Sequence, residues 1–233
     1  MNIYVELTQQ FNAGCFRAIL SSGQAVVLHR LAIMSKDGDW ILREDAEALA
    51  DVLRVLSERG AAYRFGAPLD ARWLAGGWSA HLEFRWGPLR VRTDFVTRPP
   101  RLSEPRLRQL WHEQEGRDLP FLDLPDLAEL KKTNRERDYA ILGDLARLMP
   151  STADQLLYSR SARDLIRLNS EHRDLAQRLA AQRPLLARLG QSPAVIEAAL
   201  DAGADVVSAT FVTPYPPGFP VLVPGQLFSR EIL

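Results

Sequence analysis

Apolar positions recur along this chain with two different periods, and the texture changes twice. Early on, the apolar stretch Phe16–Leu20 runs into Ser21-Ser22-Gly23, and Gln24–Leu31 then reads as a buried helix with Ser22 placed to cap it. Asp37-Gly38-Asp39-Trp40-Ile41-Leu42 reads as a strand. Asp45–Arg59 is amphipathic at helical spacing, with Leu49, Val52, Leu53 and Leu56 on one face, and Gly60 follows where a helix C-terminus favours positive φ. Three strand candidates come next, Ala62–Phe65, His81–Trp86 and Leu89–Val96, the last two joined by Gly87-Pro88 as a hairpin. Helix, strand, helix and then strands describe a small α+β or α/β layer, not a helical bundle. After residue 101 the pattern is mostly helical. Ser151 with Asp154 resembles a capping box, and Ser192-Pro193 opens another helix that Gly203 would end. From residue 204 the chain is rich in Val, Pro and Gly and looks extended. The expected organisation is a small mixed β-sheet core with flanking helices over residues 1–101, a helical domain over 102–203 and an extended tail over 204–233.

Composition adds limits. The chain has 233 residues, room for one large or two small domains, and 46% of them are hydrophobic, so a core can be buried. Lys plus Arg and Asp plus Glu number 29 each, which removes any global bias toward nucleic acid or membrane and leaves only local patches. The lone Cys15 cannot form an intrachain disulfide and suits a reducing compartment; in an apolar setting its ordinary place is the core. No apolar run reaches the ~20 residues that span a bilayer, and the N-terminus lacks the pattern of a signal peptide. The expectation is a soluble cytoplasmic protein without a membrane partner.

Candidate chemistry concentrates in carboxylates. Asp37 and Asp39 are spaced to share one face of a strand. Like charges that close repel unless a cation lies between them, and Gly38 leaves room for a close approach. In Arg90-Val91-Arg92-Thr93-Asp94-Phe95-Val96, alternation sets Arg90, Arg92 and Asp94 opposite Val91, Thr93 and Phe95. If the two strands pair, three carboxylates converge as hard oxygen ligands of the kind that suits Mg²⁺ or Mn²⁺. Such a cation neutralises charge in phosphoryl and nucleotidyl transfer. Spacing alone favours a turn at Asp37-Gly38 and a surface pair of Asp94 with Arg92, because Asp-x-Asp is a common sequence.

The surrounding residues resemble a known pattern. Ser22-Gly23-Gln24-Ala25-Val26-Val27-Leu28-His29-Arg30, then Ser35-Lys36-Asp37-Gly38-Asp39-Trp40, then Arg92-Thr93-Asp94-Phe95-Val96 resemble the opening motifs of the DNA polymerase β-like nucleotidyltransferase superfamily, in particular its bacterial minimal and AbiEii-like types. The resemblance spans roughly residues 10–150 and implies a magnesium-dependent transferase that moves a nucleoside monophosphate from an NTP to an acceptor, whether protein, tRNA or small molecule. It implies Asp37, Asp39 and Asp94 as metal ligands and catalytic residues, and Ser22, Gly23 and Lys36 as nucleotide contacts. One glycine of the family's glycine pair is Ser22 here. Leu127–Asp138 resembles the helix that follows the catalytic core in AbiEii-like proteins. As one helix it would align Lys131, Arg135 and Asp138 in a stripe; the resemblance turns Lys131 and Arg135 toward triphosphate, while the stripe by itself could equally be solvated charge pairs. A fold kept without turnover, serving as a nucleotide-binding or interaction protein of a toxin–antitoxin system, is the alternative.

Elsewhere, Thr213–Gln226 is similar to the C-terminal segment of ornithine/lysine/arginine decarboxylases, but no His-Lys cofactor motif accompanies it and pyridoxal-phosphate chemistry is not carried over. That stiff segment could reach a partner protein or a second copy. His29 reads as structural, His81, His112 and His172 show no ligand spacing, Trp40 belongs in the core, and Trp73 and Trp78 read as packing residues that could also stack on a base.

Overall fold

A computed structural model of the chain describes residues 2–132 and 136–201. The tail over 204–233, Gly203 and Arg135 lie outside the described residues. The chain divides into two compact units, Met1–Leu130 and from Lys131 onward.

The first unit opens with α1 (Ile3–Phe11), capped by Asn2, whose side chain accepts from the Tyr4 amide. It continues through β1 (Ala18–Ser21), α2 (Ser22–Leu28), β2 (Asp37–Leu42), α3 (Ala46–Ser57), β3 (Ala62–Gly66), α4 (Ala71–Leu74), β4 (Ala80–Trp86), β5 (Leu89–Val96), α5 (Glu104–Gln114) and α6 (Leu124–Lys131). The five strands form one mixed sheet in the order β1-β2-β5-β4-β3. Only β2 and β5 run parallel; the remaining neighbours are antiparallel. The α+β reading is thus what the chain adopts, and β5 spans the residues expected for it.

Period-2 alternation decides which way the sheet faces. Ala18 and Leu20, Trp40 and Leu42, Leu82 and Phe84, and Val91 and Phe95 all enter one core with Leu7 and Phe11 of α1 and Leu49, Val52 and Leu56 of α3. Trp40 is its centre, fully buried, stacked on Phe95 at 5.4 Å and edge-on to Phe11 at 5.3 Å. Its indole N–H donates to Thr8 Oγ1 at 2.9 Å, so burial leaves no polar atom stranded. The opposite face carries Asp37, Asp39, Arg92 and Asp94 but also the buried Ile19 and Ile41, so it is covered toward β1 and open toward β4.

Residues 102–130 belong with this sheet, where composition grouped them with the later helices. The physical reason is pairing and charge: Leu20 exchanges backbone hydrogen bonds with Pro120 and Leu122, extending the sheet edge, and Arg106 holds the buried Asp126 carboxylate with two bonds. His29 is structural as expected, its Nε2 2.9 Å from the Leu122 carbonyl. Cys15 corrects its expectation: it lies exposed, in the turn between α1 and β1, where the chain gives it no apolar neighbour layer to enter.

The second unit is helical: α7 (Glu136–Leu148), α8 (Thr152–Tyr158), α9 (Ala162–Glu171), α10 (Arg173–Leu179), a short 3₁₀ turn at Pro184–Arg188 and α11 (Pro193–Asp201). Ser151 caps α8 by accepting from the Asp154 amide at 3.3 Å, as its sequence position implies. Leu156, Leu165, Leu168, Leu185, Ile196 and Leu200 make its core. Among the described residues no helix is long and apolar enough to cross a membrane.

Candidate functional site

Asp37 and Asp39 open β2 on one face because Gly38 and Trp40 take the other. Gly38 is required there by close packing. A Cβ at this position would overlap the Tyr4 ring and come within 2.5 Å of Trp40 Cη2. The room that glycine makes is thus filled by two core aromatics, not by a ligand. Gly38→Ala will therefore cost about 1–3 kcal/mol through overpacking, read as a shift in urea midpoint at unchanged slope; an unshifted midpoint would contradict this packing.

The start of β2 is pinned from α2. Buried Gln24 donates to the carbonyls of Ser35 at 3.0 Å and Asp37 at 3.2 Å, and Ser35 Oγ donates to the same Asp37 carbonyl at 3.3 Å. Gly23 presses against the Ser35 side chain so closely that no Cβ fits. Ser22 does not cap α2 as its position suggested. The N-cap is Ser21, whose Oγ instead donates to the Asp39 carbonyl at 3.1 Å, and Ser22 is the first helical residue at φ 50°. The direct passage from β1 into α2 leaves no intervening residue to extend, so Ser22 takes the left-handed turn. Lys36 is exposed beside Asp37.

Strand register supplies the rest. In the parallel β2/β5 pair, Asp39 stands opposite Asp94 and Asp37 opposite Arg92; Ser21 of β1 stands on the other side of Asp39. Neighbouring strands lie ~4.8 Å apart, so three carboxylates share one patch of one face. Burial pushes the Tyr4 phenol above its usual range, and the charges of Asp37 and Asp39 push it the same way, against the backbone hydrogen bond and charge of Arg92.

The patch also contains cations. Arg92 Nη1 lies 3.6 Å from Asp37 Oδ1, a buried oxygen with no hydrogen-bond partner. Arg64 Nη1, from edge strand β3, is 3.9 Å from Asp94 Oδ1. His81 on β4 faces Asp94 across the hairpin, with Nδ1 at 2.7 Å from Oδ1. Among the described residues no three His, Cys, Asp or Glu side chains have donor atoms already gathered as a cation cage. The donor set nonetheless fits a hard divalent ion: three carboxylates on paired strands, with a buried orphan oxygen on Asp37.

Other expected residues fall elsewhere. Lys131 ends α6 and Asp138 lies in α7, so these two do not share one helix as the stripe required, and Arg135 lies outside the described residues. Lys132 already lies outside the helix, and Lys131 Nζ sits 3.6 Å from Asp138 Oδ1 with both side chains buried. Trp73 and Trp78 are largely exposed and pack edge-on against each other at 5.9 Å, not in the core.

No family model matches the chain, and no curated protein does. Among solved structures it matches the crystal structure of a "putative nucleotidyltransferase" from H. pylori, at 12% identity and a TM-score of 0.43 over 85% of this chain and 94% of that one. A likeness at that level transfers no residue roles.

Proposed function

We propose that the face carrying Asp37, Asp39 and Asp94 holds Mg²⁺ or Mn²⁺ together with an NTP and transfers the nucleoside monophosphate to an acceptor hydroxyl. The observation that carries this reading is the parallel register of Asp39 with Asp94, which adds the third carboxylate to a same-face pair. When bound, the cation would neutralise charge on the phosphates. Asp94 takes the proton of the acceptor hydroxyl as its oxygen bonds the α-phosphorus and pyrophosphate leaves. Ser22 and Gly23, which follow the Ser21 that stands opposite Asp39, would contribute to phosphate binding, and exposed Lys36 would bring its ammonium. The setting proposed is a bacterial cytoplasm.

A second reading, nucleotide binding without turnover, draws on Arg92, a cation of the chain's own beside Asp37. NTPs labelled at the α- or the γ-phosphate, incubated with the protein, Mg²⁺ and total cell RNA or protein, separate the two. Transfer of α-label with release of pyrophosphate, abolished by Asp39→Ala, supports the transferase. Binding with no transfer to either fraction supports the second reading.

A further inference from the structure

Asp94 is gripped by more than its strand. His81 Nδ1 lies 2.7 Å from Asp94 Oδ1, and the other ring nitrogen, Nε2, lies 2.8 Å from Ser79 Oγ. Phe65 stacks on the imidazole at 4.2 Å with 26° between the planes. The ring is thus fixed at both nitrogens and on one face. An ionised carboxylate only accepts, so Nδ1 carries the hydrogen and donates to Asp94; Nε2 of the neutral ring then accepts from the Ser79 hydroxyl. Arg64 approaches the same Oδ1. Among the described residues Asp94 Oδ2 makes no hydrogen bond or ion pair. The two carboxylate oxygens are therefore unequal, one committed to the protein and one uncommitted.

We infer that His81 is a positioning residue, which holds Asp94 by Oδ1 so that Oδ2 is presented to the divalent cation, with Ser79 fixing the tautomer that can do this. The inference rests on the reading of Asp37, Asp39 and Asp94 as cation ligands. Core packing does not explain the arrangement, because Phe65 is 57% exposed and neither Ser79 nor His81 is buried. Partners that orient a ligating side chain contribute about 10–100-fold to metal affinity.

The test is Mn²⁺ binding by the full chain, freed of metal with chelator and followed through the spectrum of unbound Mn²⁺, with thermal unfolding recorded alongside. Wild type binds, and His81→Ala binds about 10–100-fold more weakly at an unchanged unfolding temperature. His81→Asn, whose side-chain amide can donate to Asp94, recovers most of the affinity. Should His81→Ala fail to fold, Ser79→Ala decides: the ring stays but its tautomer is released, and weaker Mn²⁺ binding is expected. Equal affinity of wild type and the folded His81→Ala or Ser79→Ala variant overturns the role of His81 and leaves the carboxylate site standing. No Mn²⁺ binding by wild type overturns the carboxylate site, and the inference with it.

Discussion

Trp40→Ala will destabilise the sheet unit by about 3–5 kcal/mol, the range for removing a large aromatic from a packed core. The indole touches α1 through Phe11 and Tyr4, stacks on Phe95 of the neighbouring strand and donates to Thr8 Oγ1. With Phe11, which also meets Phe95, it ties α1 to β2 and β5, the strands that carry Asp39 and Asp94. Trp40→Phe keeps most of the area and loses the N–H, so its cost should fall to about 1–2 kcal/mol. Urea unfolding followed by circular dichroism gives both numbers. A loss below about 1 kcal/mol for Trp40→Ala would mean that the core closes without the indole, contrary to its place at the centre of the aromatic cluster.

Asp39→Ala carries the largest expected effect on function. Asp39 is flanked by Ser21 on one side and Asp94 on the other, which makes it the middle carboxylate of the proposed site. Charge stabilisation by a bound cation amounts to several kcal/mol, and ~4 kcal/mol corresponds to about 10³-fold in rate. Turnover should therefore fall at least about 10³-fold, while the fold survives, because the side chain lies on the half-open face and not in the core. Asp39→Asn, which keeps shape and removes charge, should fall nearly as far. Full activity in Asp39→Asn would show that the charge at this position is not used.

The hairpin shows how much of the site could be read in advance. With Gly87-Pro88 as a two-residue loop, Trp86 must face Leu89, and counting five residues back from one and five on from the other sets His81 opposite Asp94. That register was available from the sequence. His81 has no metal-ligand spacing along the chain, and its relation to Asp94 exists only across the hairpin. The facing of Asp37, Asp39 and Asp94 away from Trp40 and Phe95 follows from alternation alone. What alternation cannot supply is the identity of the neighbouring strand. The parallel β2/β5 pairing depends on everything between them, α3 through β4, folding to one side. Phe65 was illegible for a different reason, since the irregularity in edge strand β3 between Tyr63 and Phe65 is what sets it opposite His81. Lys131 shows the converse: it and Asp138, spaced for one helical stripe, fall in two helices, and its ammonium lies against Asp138.

Calorimetric titration of ATP, GTP, CTP and UTP, each with Mg²⁺, into wild type and into the Asp37→Ala/Asp39→Ala variant tests the central claim most directly. The account predicts that at least one NTP binds wild type only when Mg²⁺ is present and that the variant does not bind it. Absence of binding by all four nucleotides, or equal binding by the variant, would contradict a cation-dependent nucleotide site on these carboxylates.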